Sequence, residues 1–240
     1  MPDRAALVTG ASSGIGLAIA HALGEEGHGL TVAARRPEKL AAAAEELRAA
    51  GHDVEELAAD LTQEEDIGRV VAAHRERFGR LDVLVNSAGV GFGATADGHQ
   101  TKRVNMQMDL NVRAIVLFYR ECVGLLKAAG AEHGNALVVN LASNAGKTGQ
   151  AWLSVYSATK AAVIGYTQAM NRELAGEGVK SVALCPGFVD TPMTEFIREE
   201  IKPEEMIRTE DVAQSVRFLL RLSRSCIVPE IVFERPGQML

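Results

Sequence analysis

The sequence predicts an α/β fold in which a parallel sheet of seven strands is wound with helices on both faces. Short apolar runs alternate with longer stretches whose apolar residues recur every three or four positions. The runs are apolar at consecutive positions, as strands buried on both faces must be. A glycine-rich turn divides the first run from the first helical stretch.

In chain order, the first strand is predicted at Ala5–Thr9 and the first helix at Ile15–Glu26. A second strand, Leu30–Ala34, leads to a helix over Pro37–Ala50. Pro37 suits a first helical turn, where no amide donor is needed, and Gly51 can end the helix in a left-handed conformation. Strand Val54–Ala59 is followed by helix Glu64–Phe78, and strand Leu81–Val85 by a long helix over Arg103–Ala129. Ala136–Leu141 and Ser157–Ala175 form the next strand–helix pair; Val179–Leu184, helix Glu210–Leu222 and strand Ile227–Phe233 complete the pattern. Right-handed crossovers make this a doubly wound, Rossmann-type arrangement rather than an eight-fold barrel, which usually needs more repeats.

With 240 residues and 47% hydrophobic content, the chain is expected to form one domain over residues 1–240. A formal net charge of −6 argues against nucleic acid as a partner. The longest obvious apolar run, Ala114–Tyr119, is bounded by Arg113 and Arg120, so no membrane span is expected. The Met1-Pro2-Asp3-Arg4 start lacks the pattern of a secretory signal, and a cytoplasmic location is expected. Three separated cysteines read as buried free thiols, and six scattered histidines predict no metal.

Thr9-Gly10-Ala11-Ser12-Ser13-Gly14-Ile15-Gly16 joins the first strand to the first helix, where glycines let a pyrophosphate approach the backbone and the helix amino terminus faces the anion. After the second strand, where an acid would hold the adenosine ribose of NAD, the chain has Arg35 and Arg36. A guanidinium there suits a 2′-phosphate. Arg35, assisted by Ser12, Ser13 or Arg36, therefore points to NADP (NADPH) over NAD; Arg36 reads equally as a solvated helix-start residue.

Asp60 and Leu61 end the third strand, and Asn86, Ser87, Ala88 and Gly89 follow the fourth, all on the carboxyl edge where such sheets bind ligands. Asp60 suits either the adenine amino group or a cap with Thr62, and Asn86 either the ligand or a tie between strands. Tyr156 and Lys160, four apart on a helix, share a face, and Ser143 follows a strand on the same edge. A hydroxyl, a phenol and an ammonium can thus converge on one ligand.

On these motifs the chain resembles the short-chain dehydrogenase/reductase family from Thr9 to the final strand. The resemblance implies that Tyr156 is the catalytic acid/base, Lys160 binds the nicotinamide ribose, Ser143 holds the substrate oxygen and Asn111 sits in a helix kink. Asn111 would there place a water that relays protons toward Lys160 and Tyr156. The resemblance also implies cofactor contacts from the Gly10–Gly16 turn, Asp60, Asn86 to Gly89, and the run Pro186, Gly187, Phe188, Val189, Asp190 and Thr191, and a homodimer or homotetramer formed by the outer faces of the two longest helices. Ser87 stands where a second Asn is common, and the Phe233-Glu234-Arg235-Pro236-Gly237 ending lacks the frequent Gly-Gly.

The expected activity is hydride transfer between NADP(H) and a small carbonyl or alcohol substrate, partly covered by Met193–Met206. Two alternatives are a reductase of β-ketoacyl groups on acyl carrier protein and a non-catalytic nucleotide sensor, since fold alone does not establish activity.

Overall fold

The computed structural model describes residues 2–237; Met1 and residues 238–240, where the expected domain bounds fall, lie outside the described residues. The strands are β1 Arg4–Thr9, β2 His28–Ala34, β3 Val54–Ala58, β4 Val83–Asn86, β5 Ala136–Leu141, β6 Val179–Pro186 and β7 Glu230–Phe233. They form one sheet in the order β3-β2-β1-β4-β5-β6-β7, and every neighbouring pair is parallel.

Because side chains alternate along a strand, an all-apolar strand builds two cores. Ala6 and Val8 of β1 face one core, which includes Ile19 and Leu23 of helix α1 (Gly14–Glu25), Leu40 and Leu47 of α2 (Pro37–Ala49), and Val212 and Val216 of α7 (Thr209–Leu220). Leu7, between them, faces a second core with Ile67 and Val70 of α3 (Glu64–Phe78), Phe118 and Leu126 of α5 (Ala114–His133), and Val163 of α6 (Ser154–Leu174). Full burial of each such Leu, Ile or Phe contributes about 1.5–3 kcal/mol.

The long helix expected over Arg103–Ala129 is α4 (Thr101–Met108), a π-helical turn at Asp109–Arg113, and α5. Helix α6 starts three residues before the expected Ser157, which puts Tyr156 in its first turn. The last strand begins at Glu230 rather than Ile227, since Pro229 has no amide hydrogen to pair and only its carbonyl accepts, from Ala183. In the centre of the sheet, β4 begins at Val83 rather than Leu81, and the Asp82 carboxylate just before it accepts the Ala5 N–H at 2.8 Å. Pro37 does open α2, and Gly51 beyond it has φ +89°. Cys122 and Cys185 are buried free thiols, whereas Cys226 is half-buried.

Chain order reverses at β1, whose neighbours are β2 and β4. Open α/β sheets form a crevice at the carboxyl ends of strands at such a point. The register there sets Thr9 beside Asn86, Asn86 beside Asn140, and Leu141 beside Leu184.

Candidate active site

The crevice is shaped by missing side chains. A Cβ on Gly10, which has φ +69°, would lie 2.8 Å from the Ala88 nitrogen, and one on Gly16 would lie 2.5 Å from the Gly10 oxygen. Thr9 holds the facing turn: its Oγ1 accepts the amides of Ser87 (3.1 Å) and Ala88 (3.2 Å) and donates to the Val85 carbonyl (3.2 Å). The N-cap of α1 is Ser13, whose hydroxyl makes no capping bond, and the first turn contains no acid. Helix α1 therefore presents uncapped amides and the positive end of its dipole to the crevice, which suits a pyrophosphate. The Thr191 methyl closes over Gly14, 3.1 Å from where a Cβ would stand. Ser12 and Ile15 are half-buried within the same turn.

Arg35 and Arg36 follow β2 as exposed side chains, and among the described residues neither guanidinium has an ion pair or hydrogen-bond partner. Arg36 serves as N-cap of α2 through its backbone. Asp60 closes a turn rather than capping α3: its Oδ1 accepts the Thr62 hydroxyl (2.8 Å) and amide (3.1 Å), while its own N–H donates to Asp66 Oδ2 at 2.6 Å. The Leu61 side chain is buried in the second core, so only its backbone is placed to meet a ligand. Asn86 ties strands together, donating from Nδ2 to Asn140 Oδ1 at 2.8 Å. Asn140 in turn donates to the Tyr119 hydroxyl and to Thr167 Oγ1. The Asn86 Oδ1 is buried and has no partner among the described residues, so at this edge Asn86 retains an acceptor beside the backbones of Ala88 and Gly89.

Three side chains converge where β5 and α6 meet. Ser143 caps a 3₁₀ turn at Asn144–Gly146; its Oγ accepts the Ala145 amide at 3.2 Å and lies 3.4 Å from the Pro186 carbonyl it donates to. Burial raises the pKa of the Tyr156 phenol, and the Ser143 hydroxyl acts against that rise. Lys160 Nζ donates to the Leu141 carbonyl at 2.6 Å and stands 5.6 Å from the centroid of the Tyr156 ring. Its burial pushes the ammonium down to about 8, with no carboxylate to oppose the shift. Two of its three donors are left for a ligand.

Asn111 lies in the π turn and is fully buried. Its Oδ1 accepts the Val90 amide (2.9 Å), and its Nδ2 donates to the Val90 carbonyl (2.8 Å) and Thr159 Oγ1 (3.1 Å). Both amide hydrogens are committed, so a water held by this residue would have to donate to one of its carbonyl oxygens. The loop from Ser87 to Gln100 runs over α6 on alternate glycines. A Cβ on Gly89 would lie 3.2 Å from Asn111 Oδ1 and 3.6 Å from Lys160 Nζ, and one on Gly91 would lie 3.3 Å from the Tyr156 ring. Sequence reasoning named Thr9 only as the start of the glycine-rich turn and missed the contacts of Thr159 and Gly91; for Gly91 the Gly-x-Gly-x-Gly alternation from 89 to 93 was the available signal. Pro186, Gly187 and Val189 line the neighbouring exit from β6, where Gly187 donates to Phe233 and Val189 bridges Ile207. Among the described residues, no three His, Cys, Asp or Glu gather as a metal would require.

The doubly wound sheet, with a glycine-lined crevice at its carboxyl edge, defines a protein of the dinucleotide-binding class. Residues 4–202 match the short chain dehydrogenase family, and the chain belongs to it. It is similar to a Streptomyces coelicolor protein named as a candidate ketoacyl reductase, with 40% identity over 224 residues, 92% of this chain and 84% of that relative. Among solved structures it resembles a variant of the actinorhodin polyketide ketoreductase crystallised with NADPH (TM-score 0.86, 34% identity, 95% of each chain). It also resembles an alcohol dehydrogenase from the archaeon Thermococcus sibiricus complexed with 5-hydroxy-NADP (TM-score 0.88, 27% identity, 99% of this chain and 98% of that one). The protein is an oxidoreductase acting on carbonyl or alcohol groups.

Proposed function

We propose that the protein is an NADPH-dependent carbonyl reductase in which Tyr156, Ser143 and Lys160 carry the proton chemistry. The single observation behind this reading is the buried Lys160 ammonium, held 5.6 Å from the Tyr156 ring centroid with no carboxylate partner. A buried cation without a counter-ion costs stability, and at this position it stabilises a phenolate. The glycine cradle fits a dinucleotide pyrophosphate, and Arg35, with Arg36 beside it, offers unpaired guanidinium groups to a 2′-phosphate.

When bound, NADPH supplies the hydride. Ser143 orients the substrate carbonyl by donating a hydrogen bond from Oγ, and Tyr156 delivers its phenolic proton to the oxygen as negative charge develops there. A positive Lys160 beside the phenol would favour the phenolate and act, with Ser143, against the rise that burial imposes on Tyr156. The free N–H groups of Lys160 would hold the nicotinamide ribose, next to the Gly89 backbone, and Asn111 fixes the adjoining Val90 main chain. Alcohol oxidation reverses both transfers.

A ketoacyl thioester is a second reading of the substrate, favoured by the similarity to the ketoacyl and polyketide ketoreductases. The nucleotide-sensor alternative is disfavoured because all three reacting side chains are in place. Nicotinamide absorbance during incubation with ketones, aldehydes, quinones and β-ketoacyl thioesters, using NADPH and NADH, tests these readings. NADPH-dependent consumption establishes the reductase, and a response to thioesters alone selects the second substrate. Saturable NADPH binding with no consumption of any carbonyl favours the sensor.

We also propose self-association. Val116 on α5, Phe218 on α7 and Val232 on β7 are exposed apolar side chains on outer surfaces, whereas α6 carries no large exposed one. Among the described residues, no helix is long and apolar enough to cross a membrane.

A further inference from the structure

Trp152 is the chain's only tryptophan and, among the described residues, the only non-glycine residue with positive φ, at +67°. A bulky residue in this region costs free energy and persists only where its surroundings hold it. The hold is visible: the Trp152 carbonyl accepts the Ala94 amide at 2.8 Å, and Leu153 closes the turn onto the Gln150 carbonyl at 3.2 Å. The indole lies flat against Gly93, where a Cβ would fall 2.4 Å from ring atoms Cδ2 and Cε3.

This packing covers one face of the ring. Trp152 nevertheless remains 56% exposed, unlike an aromatic retained for the core. It stands four residues before Tyr156, on the turn that leads into α6, and its seat belongs to the loop that touches the Tyr156 ring through Gly91. The segment after Pro186, whose carbonyl accepts from Ser143, adds two further exposed apolar side chains, Met193 and Phe196.

Resting on the carbonyl-reductase reading, we propose that Trp152 is a specificity-determining residue whose free indole face stacks on a planar conjugated ring attached to the substrate carbonyl, so that the enzyme selects aryl ketones over saturated ones. An indole fixed by a glycine seat and a strained turn loses little freedom on binding, and offset stacking rewards a flat π-system over a puckered ring of equal carbon count.

The test compares acetophenone with cyclohexyl methyl ketone, which share a skeleton and differ in ring planarity, in wild type, Trp152→Ala, Trp152→Phe and Gly93→Ala. Wild type is expected to favour acetophenone in kcat/KM by about tenfold. Trp152→Ala should abolish the preference through KM with kcat held, Trp152→Phe should retain most of it, and Gly93→Ala should lose it by displacing the ring. Unchanged NADPH affinity confirms that each variant is folded.

Because Trp152 is the sole tryptophan, its emission in the NADP⁺-saturated wild type reports binding without turnover. Saturable quenching by acetophenone and none by the saturated ketone supports the proposal. Equal kcat/KM for the two ketones in wild type, a preference unmoved in Trp152→Ala, or no quenching overturns it. Turnover of either ketone that disappears in Tyr156→Phe sustains the reductase reading whatever the ratio; absence of turnover with intact quenching counts against that reading and leaves the stacking site standing.

Discussion

Replacing Lys160 by Met should make the protein more stable while destroying its activity. Burial takes the ammonium from its ordinary 10.5 to about 8, a differential penalty of about 3 kcal/mol on the charged form. The sign follows from proton binding. Between about 8 and 10.5 the unfolded chain binds more protons at this group, so its contribution to stability rises with pH there, and the full penalty is present at pH 7. Methionine fills a similar length without charge. It also leaves the Leu141 carbonyl, now accepting at 2.6 Å, without its donor, which costs about 1–2 kcal/mol. The difference is a net stabilisation of about 1–2 kcal/mol, or an increase of about 0.5 M in urea midpoint for the cofactor-free protein. Urea unfolding at pH 7 by far-UV circular dichroism measures it, alongside NADPH oxidation with an accepted ketone. A midpoint that stays put or falls would refute the claim that the Lys160 charge is retained at a cost to the fold.

His74 is fully buried between Thr31 Oγ1 and the Arg80 carbonyl, 2.8 Å from each, and burial pushes its pKa down to about 4. Stability should therefore be full above about 6.5 and fall as pH drops toward 4, with about 2 kcal/mol already lost at pH 5; urea midpoints against pH should show this slope in wild type and a shallower one in His74→Gln. Gly10→Ala combines positive φ with a Cβ 2.8 Å from the Ala88 nitrogen; a loss of about 2–4 kcal/mol and of NADPH binding is expected by thermal unfolding and fluorescence titration. Arg35→Ala should weaken NADPH by about 10–100-fold, with NADH changed little, in the same titration; equal effects on both would remove Arg35 from the 2′-phosphate.

The strands and most helices were legible because strands buried on both faces require uninterrupted apolar runs, while helices signal their core face by periodicity. Tyr156 and Lys160 were legible for the same reason, since their spacing fixes a common helical face whatever surrounds it. The π turn was legible only through the family resemblance, which put Asn111 in a helix kink; Asp109-Leu110-Asn111-Val112-Arg113 itself contains no glycine or proline. The feature that distinguishes it is tertiary, with Asn111 drawn onto the Val90 backbone and Thr159. The strand tie made by Asn86 Nδ2 followed only from the register that sets it beside Asn140. Trp152 carried no local sign of a left-handed conformation, because its seat on Gly93 comes from a loop distant in sequence.

The most direct test is steady-state NADPH oxidation by wild type and Tyr156→Phe with a ketone the wild type accepts, together with the NADPH affinity of each. The account predicts a fall in kcat of about 10²–10⁴ with affinity unchanged, because the ring is kept and only the proton donor is lost. A Tyr156→Phe enzyme that binds NADPH normally and turns over within a few-fold of wild type would contradict it.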